Sequence, residues 1–368
     1  EPALLSKVVI RPDAVIPVEV ATASGPVTYT LHLLPKDLPP YTYRDYGVTP
    51  GNLLVSPYSQ TKSFTPYLLI IGTSGQVVYY RRLEKPGFDW KRSTLTNGET
   101  RYTFLSDGDL YVLNENFEDI GKYRLRSTAQ HTAYAVDLHD VKMFEDDHYI
   151  LLSYVDKMVT NVPVELSPAS GGARVIAAMA QEVRGDQVVF EWDSSAHPEL
   201  YALSTEGNNF AVTTAAADYA HLNSIDVDPK DGNWVMSFRH LDAVLKVSKK
   251  DGSVLWRLGN LSDNFMTTDA QKTSHQHFAR FLSDGRLQVF DNGNADQASR
   301  VVRYGLDTER GRITSFDSLP LGYFARAMGS VDALDSRSVL VGLGAHRPGE
   351  PDVEELDLIT GQPTYELS

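Results

Sequence analysis

The chain has 368 residues, no cysteine and a formal net charge of −14, from 48 acidic and 34 basic side chains. Without cysteine, a disulfide framework, a thiolate nucleophile and Cys-ligated zinc are all excluded. A surface this acidic repels a phosphate backbone, so no nucleic acid is expected as a partner. No run of about 18 apolar residues occurs, so no membrane span is expected.

In chain order, the start EPALLSKVV carries neither an initiator Met nor a signal pattern. Such a start fits either the mature end of a processed chain, with a periplasmic or secreted location as the expectation, or merely a boundary of the sequence. Residues 1–48 read as a small N-terminal β region: VVIRPDAVIPVEVATASGPVTYTLHLL gives two or three strands with Pro and Ser-Gly breaks. LPKDLPPYTYRDYG then forms a connector, with a soft boundary near Tyr46 to Pro50. From 49 to 368 one unit recurs: an apolar strand, a Gly- or Asp-bearing turn, then a strand that ends in an aromatic or basic residue. The second strands are GQVVYYRR (75–82), EDIGKYRL (118–125), DQVVFEW (186–192), GSVLWRL (252–258), RVVRYGLD (300–307) and QPTYEL (362–367). Radial repetition lets such short sheets close without long edges, so the six units predict an all-β chain with a six-bladed β-propeller. A sandwich or a right-handed β-helix is the alternative, although long inserts at 155–180 and 259–274 argue against a solenoid. ARVIAAMAQEV (173–183) reads as a short helix or an irregular strand.

Chemistry concentrates between His221 and Gly293, with His139 upstream. His139 sits in AYAVDLHDVKM, His221 and Asn223 in AHLNSID, Arg239 and His240 in SFRH, His275 and His277 in SHQHFARF. All lie at strand ends, and in a propeller such ends converge on the axis. A lone histidine is ordinarily a hydrogen-bonded structural residue. Several costly polar groups at matching places in a repeat call for another reason. His32 and His148 look exposed or at an edge, while the Asp-Gly and Asn-Gly pairs, 292–293 included, read as turns.

These stretches carry a resemblance. HDV at 139–141, AHLNSIDVDPKDGNWVMSFRHLDAVLKV at 220–247, GSVLWRLGN at 252–260, QHFARFLSDGRLQVFDNG at 276–293 and ARAMGSVDALDSRSVLVGLG at 325–344 are similar to the PAPS-independent bacterial arylsulfate sulfotransferases and their short arylsulfotransferase-like relatives. The resemblance runs from about Pro50 to near the C-terminus and implies a six-bladed propeller behind an N-terminal β region. It also implies ping-pong transfer of a sulfuryl group from a small-molecule aryl sulfate to a phenolic acceptor, through a sulfated histidine and without a cofactor. Position by position, His277 is the implied nucleophile, with His139, His221 and Arg239 as further catalytic residues. Asn223, His240 and His275 are expected to contact the substrate, and no metal is expected. The longer periplasmic enzymes carry a cysteine pair, which this chain lacks.

The chemistry suits those residue types. Sulfuryl transfer spreads negative charge over three oxygens and a leaving phenolate, so donors and cations are needed around a nucleophile. A neutral imidazole is a competent nucleophile, and an arginine forks onto two oxygens. Three other readings use the same residues: a zinc site built from three histidines, which a neighbouring arginine disfavours; a propeller lyase that cleaves a uronate-containing glycan by β-elimination; and a non-catalytic binding propeller.

Overall fold

The computed structural model describes residues 15–47, 51–59, 64–129, 131–132, 134–259 and 261–368. The expected first strand up to Ala14, and Val48 to Pro50 of the soft boundary, lie outside the described residues. The chain is nearly all β, and among the described residues there is no α-helix, only short 3-10 turns.

A hairpin of β1 (Val15–Thr22) and β2 (Gly25–His32) comes first, followed by β3 (Tyr43–Asp45). Blade 1 holds β4 (Leu53–Val55), β5 (Tyr67–Ile71) and β6 (Val77–Arg82). Blade 2 holds β7 (Phe88–Thr94), β8 (Thr100–Ser106), β9 (Asp109–Leu113) and β10 (Asp119–Tyr123). Blade 3 holds β11 (Val141–Glu145), β12 (His148–Val159), β13 (Ala173–Arg184) and β14 (Gln187–Asp193). Blade 4 holds β15 (Leu222–Val227), β16 (Trp234–Phe238), β17 (Ala243–Val247) and β18 (Val254–Gly259). Blade 5 holds β19 (His277–Phe281), β20 (Leu287–Asp291), β21 (Arg300–Asp307) and β22 (Arg312–Pro320). Blade 6 holds β23 (Ser330–Ala333), β24 (Ser338–Gly342), β25 (Val353–Asp357) and β26 (Pro363–Leu367).

The six sheets make a six-bladed propeller, as expected. Each is antiparallel, and the first strands of successive blades pack side by side around the axis. Blade 6 gains a fifth strand from upstream of blade 1: β3 pairs with β26, Tyr43 opposite Leu367 and Asp45 opposite Tyr365. Thr42 and Ser368 extend this pairing with two backbone hydrogen bonds of 2.7 and 3.0 Å. A strand from upstream of blade 1 and the last strand of blade 6 thus close the ring non-covalently, in a chain without cysteine.

Period-two alternation, with both faces buried, explains the core. In YLLII of β5, Leu68 and Ile70 face blade 2, where they meet Trp90 and Phe104. Tyr67, Leu69 and Ile71 face Tyr365 and Leu367 of blade 6. The same logic gives one buried apolar cluster at each of the six blade interfaces. Each buried Leu, Ile or Val side chain there contributes about 1.5–3 kcal/mol.

Two expectations are corrected and one is narrowed. The six segments expected as second strands lie third or fourth in their blades: β6 and RVVRYGLD of β21 are third, the latter with β22 outside it, and β10, β14, β18 and β26 are fourth. ARVIAAMAQEV is not helical: it is most of β13, paired residue for residue with β12 from His148–Arg184 to Val159–Ala173, with a register shift against β14 between Glu182 and Val183. Alanine suits that place because both faces of β13 are covered and little side-chain volume is available. His148 is not exposed: it is 8% accessible and hydrogen bonds to Glu182 at 2.8 Å.

Candidate active site

The first strands of blades 3, 4 and 5 begin at one end of the axis, and each presents an imidazole there. His139 lies two residues ahead of β11, His221 one residue ahead of β15, and His277 opens β19. Their ring centroids are 5.2 Å apart for His139 and His221, and 6.3 Å for His139 and His277. Arg239 and His240 follow β16 in a 3-10 turn at the same end, and the His240 ring lies 4.4 Å from that of His221. Three imidazoles therefore share one end of the axis with the Arg239 turn.

The motifs around them act mainly as stitching between blades. Asp140, next to His139, is buried and accepts from Ile225 N at 2.8 Å while pairing with Lys91 and Arg280. Ser224 accepts from Ala279 N, and Asp226 from Phe281 N. Asn223 donates to Gln276 O at 2.8 Å, and Gln276 donates in turn to Ser237, Phe238 O and Ala243 O. These bonds tie blade 3 to 4 and blade 4 to 5 immediately below the imidazoles. Lys91, Lys142 and Arg280, paired with Asp89, Asp140 and Asp226, fill the axis beneath. The Asp89 carboxyl is pushed up to about 7, chiefly by burial.

Each imidazole has a defined tautomer. His277 Nδ1 faces Asn292 Oδ1 at 2.7 Å and His275 O at 3.0 Å. Asn292 Nδ2 donates to Ala325 O and Met328 O, which fixes the amide orientation. Both neighbours of His277 Nδ1 are thus acceptors, so that nitrogen carries the proton and Nε2 keeps its lone pair. Burial, with His139, His221 and Arg239 nearby, holds His277 well below the usual imidazole value, so the ring is neutral. His139 Nδ1 donates to Asp137 at 2.7 Å. Burial opposes its charge, but the Asp137 carboxylate outweighs this and raises it. His221 Nδ1 donates to Asp218 Oδ2 at 2.6 Å, and His240 Nδ1 to Asp218 O at 2.5 Å. Burial and His221 lower His240.

The Tyr154 ring walls the site, 5.3 Å from His221 and 5.8 Å from His139, with its hydroxyl donated to Leu222 O at 2.6 Å. His275 sits farther out. Its Nε2 lies 2.6 Å from Glu206 and its Nδ1 3.1 Å from Asp242, so carboxylates take both nitrogens. The hydrogen bond to Asp242 raises it above the ordinary imidazole value. Arg239 reaches only Glu206, at 3.5 Å, and most of its donors are uncommitted. Asn223 Oδ1 and Asp218 Oδ1 are buried acceptors without a protein partner. His221, Asp242, His275, Phe278 and Met328 all have positive φ, between 48° and 63°. Such backbone costs free energy, and five instances around one site mark it as a place held in shape by its surroundings.

Asn292, Asp137, Asp218, Glu206 and Tyr154 escape the sequence reading. Asn292 was read as half of a turn, since Asn-Gly is the ordinary turn signal. Asp137 and Asp218 leave a weak trace, a carboxylate two or three residues ahead of each histidine. Asp218, His221 and His240 each offer an atom within 4.8 Å of the others, close enough for a cation. The Arg239 guanidinium beside them opposes one.

One known structure is similar enough to support the fold. A protein of unknown function from Bacteroides caccae is 14% identical, with a TM-score of 0.51 over 86% of this chain and 93% of that one. A virginiamycin B lyase from Staphylococcus aureus is 9% identical, with a TM-score of 0.39 over 89% of this chain and 99% of that one. No curated protein matches the chain. The arylsulfotransferase (ASST) family matches residues 30–367, nearly the whole length, which supports aryl sulfotransferase activity in general terms. The chain belongs to the arylsulfotransferase (ASST) family.

Proposed function

We propose that the protein moves a sulfuryl group from an aryl sulfate to a phenol by a ping-pong reaction, with no nucleotide sulfate donor and with His277 as the group carrier. The observation that carries this reading is the double acceptor on His277 Nδ1, which leaves a neutral Nε2 lone pair beside His139 and His221. Nε2 attacks sulfur, the S–O bond to the ring breaks, and its electron pair leaves on the phenolate. His139, whose charged form Asp137 favours, gives that oxygen its proton. A positioned general acid of this kind is worth about 10²–10⁴-fold. In the second half, the acceptor phenol returns its proton to His139 as its oxygen attacks sulfur and the N–S bond breaks. Arg239, with uncommitted donors, balances charge on the sulfuryl oxygens. Tyr154 offers its face to the aryl ring.

The test is a chromogenic aryl sulfate with a second phenol, without nucleotide or metal. Release of the coloured phenol that depends on the acceptor supports the reading, and His277→Ala stops it. Sensitivity to a chelator would favour a cation held by Asp218, His221 and His240 instead.

A further inference from the structure

In this acidic chain arginines are almost always paired. Among the described residues, every guanidinium has a hydrogen-bonding or ion-pair partner except those of Arg326 and Arg347. Both are exposed, and both lie at the imidazole end of blade 6. Arg326 is in the loop entering β23, the counterpart of the loops that carry His139, His221 and His277. Arg347 is in the turn between β24 and β25, and the Ser330–Gly342 pairing puts that turn at the same end. A backbone hydrogen bond from Arg326 N to Ala345 O joins the two loops.

The Arg326 loop is also fastened to the nucleophile. Ala325 O and Met328 O receive the Asn292 amide that orients His277, and Ala325 N donates to Ser299 Oγ. Arg326 therefore stands on a rigid rim, and it is near enough to Arg239 to disfavour the latter's charge. In the Arg347 turn Glu350 is spent on the Arg347 backbone N and Asp352 on His346, so neither guanidinium has a carboxylate of its own, and beside an anion-handling site both are forks ready for an oxyanion.

We infer that the blade 6 rim, through Arg326 and Arg347, is a second oxyanion subsite that takes a carboxylate or a further sulfate ester on the aryl ring of the substrate. The inference rests on the sulfuryl-transfer reading, and it names the substrate class: aryl sulfates or phenols with a second negative group.

The experiment compares para-sulfooxyphenylacetate with its methyl ester, in which a methylene insulates the leaving phenol from the change of charge, and adds an aryl bis-sulfate as a third arm. The wild-type chain favours the acid over the ester in kcat/KM by roughly fivefold, through KM, as befits exposed ion pairs. Arg326→Gln and Arg347→Gln each lower that ratio, and the double variant brings it near one. A bis-sulfate preference that exceeds the carboxylate preference assigns the rim to sulfate, and the reverse order assigns it to carboxylate. A wild-type ratio of one, or a ratio unchanged in both variants, overturns the subsite. If no ester is turned over, the transfer reading falls separately. Calorimetry then decides the subsite: tighter binding of the acid than of the ester, lost in Arg326→Gln, sustains it, and equal binding overturns it.

Discussion

His277 and Asn292 face each other across blade 5, ring Nδ1 to amide Oδ1 at 2.7 Å, with the amide locked by two carbonyls of the loop entering blade 6. Because an amide oxygen accepts and cannot donate, this contact selects the tautomer with a free Nε2. Asn292→Ala leaves His275 O to hold the ring at 3.0 Å. We expect kcat to fall on the order of 10²-fold from lost orientation while the chain stays folded, read by kinetics beside a thermal melt. Asn292→Asp keeps the acceptor but sets a carboxylate oxygen against Ala325 O and Met328 O and favours a charged His277, so it should lose activity as well.

The pH profile should be asymmetric. His139 is raised by Asp137, so its acid form persists above the ordinary imidazole value of 6.5 and is lost as pH climbs through the raised value. His277 is depressed, so its neutral form persists well below 6.5. Activity should therefore fall on the alkaline side as His139 loses its proton, and hold through mildly acidic pH. The Asp137→Asn variant should move the alkaline limb to lower pH, which a kcat/KM profile would record.

Stability has its own weak point below the site. Asp140 is buried, bridges Lys91 and Arg280, and accepts the Ile225 amide. Asp140→Ala leaves half-buried Arg280 without its carboxylate and the buried Ile225 amide without its acceptor, while Lys91 keeps Asp89, and a loss of about 3 kcal/mol is expected in a denaturant titration. A smaller loss would mean that water reaches the axis.

Tyr154 separates ring from hydroxyl. Tyr154→Phe removes the 2.6 Å bond to Leu222 O and should cost about 1 kcal/mol of stability with modest change in rate. Tyr154→Ala removes the wall beside His139 and His221 and should raise KM for the aryl donor, read by steady-state kinetics.

Blade number was legible because turns and alternation recur in every unit, and the clustered imidazoles because each stands where a first strand begins. Other features hid for physical reasons. β22, RITSFDSLP, is largely exposed, so it shows no apolar period and goes unannounced beyond RVVRYGLD in blade 5. β3 is three residues long in a Tyr- and Pro-rich stretch, too short to signal its pairing with β26. Alanines in β13 suggested a helix, yet burial on both faces decides for a strand. Asn292 looked like a turn residue, and its role depends on carbonyls more than thirty residues away. Asp218 is oriented toward His221 through a positive φ that no local pattern announces.

The most direct measurement is the intact mass of the protein after mixing with an aryl sulfate in the absence of any phenolic acceptor. A stoichiometric burst of phenol, with one sulfuryl group gained on the peptide that contains His277 and discharged when a phenol is added, is the predicted result. Phenol release without such an adduct, or an adduct that survives in His277→Ala, would contradict the account.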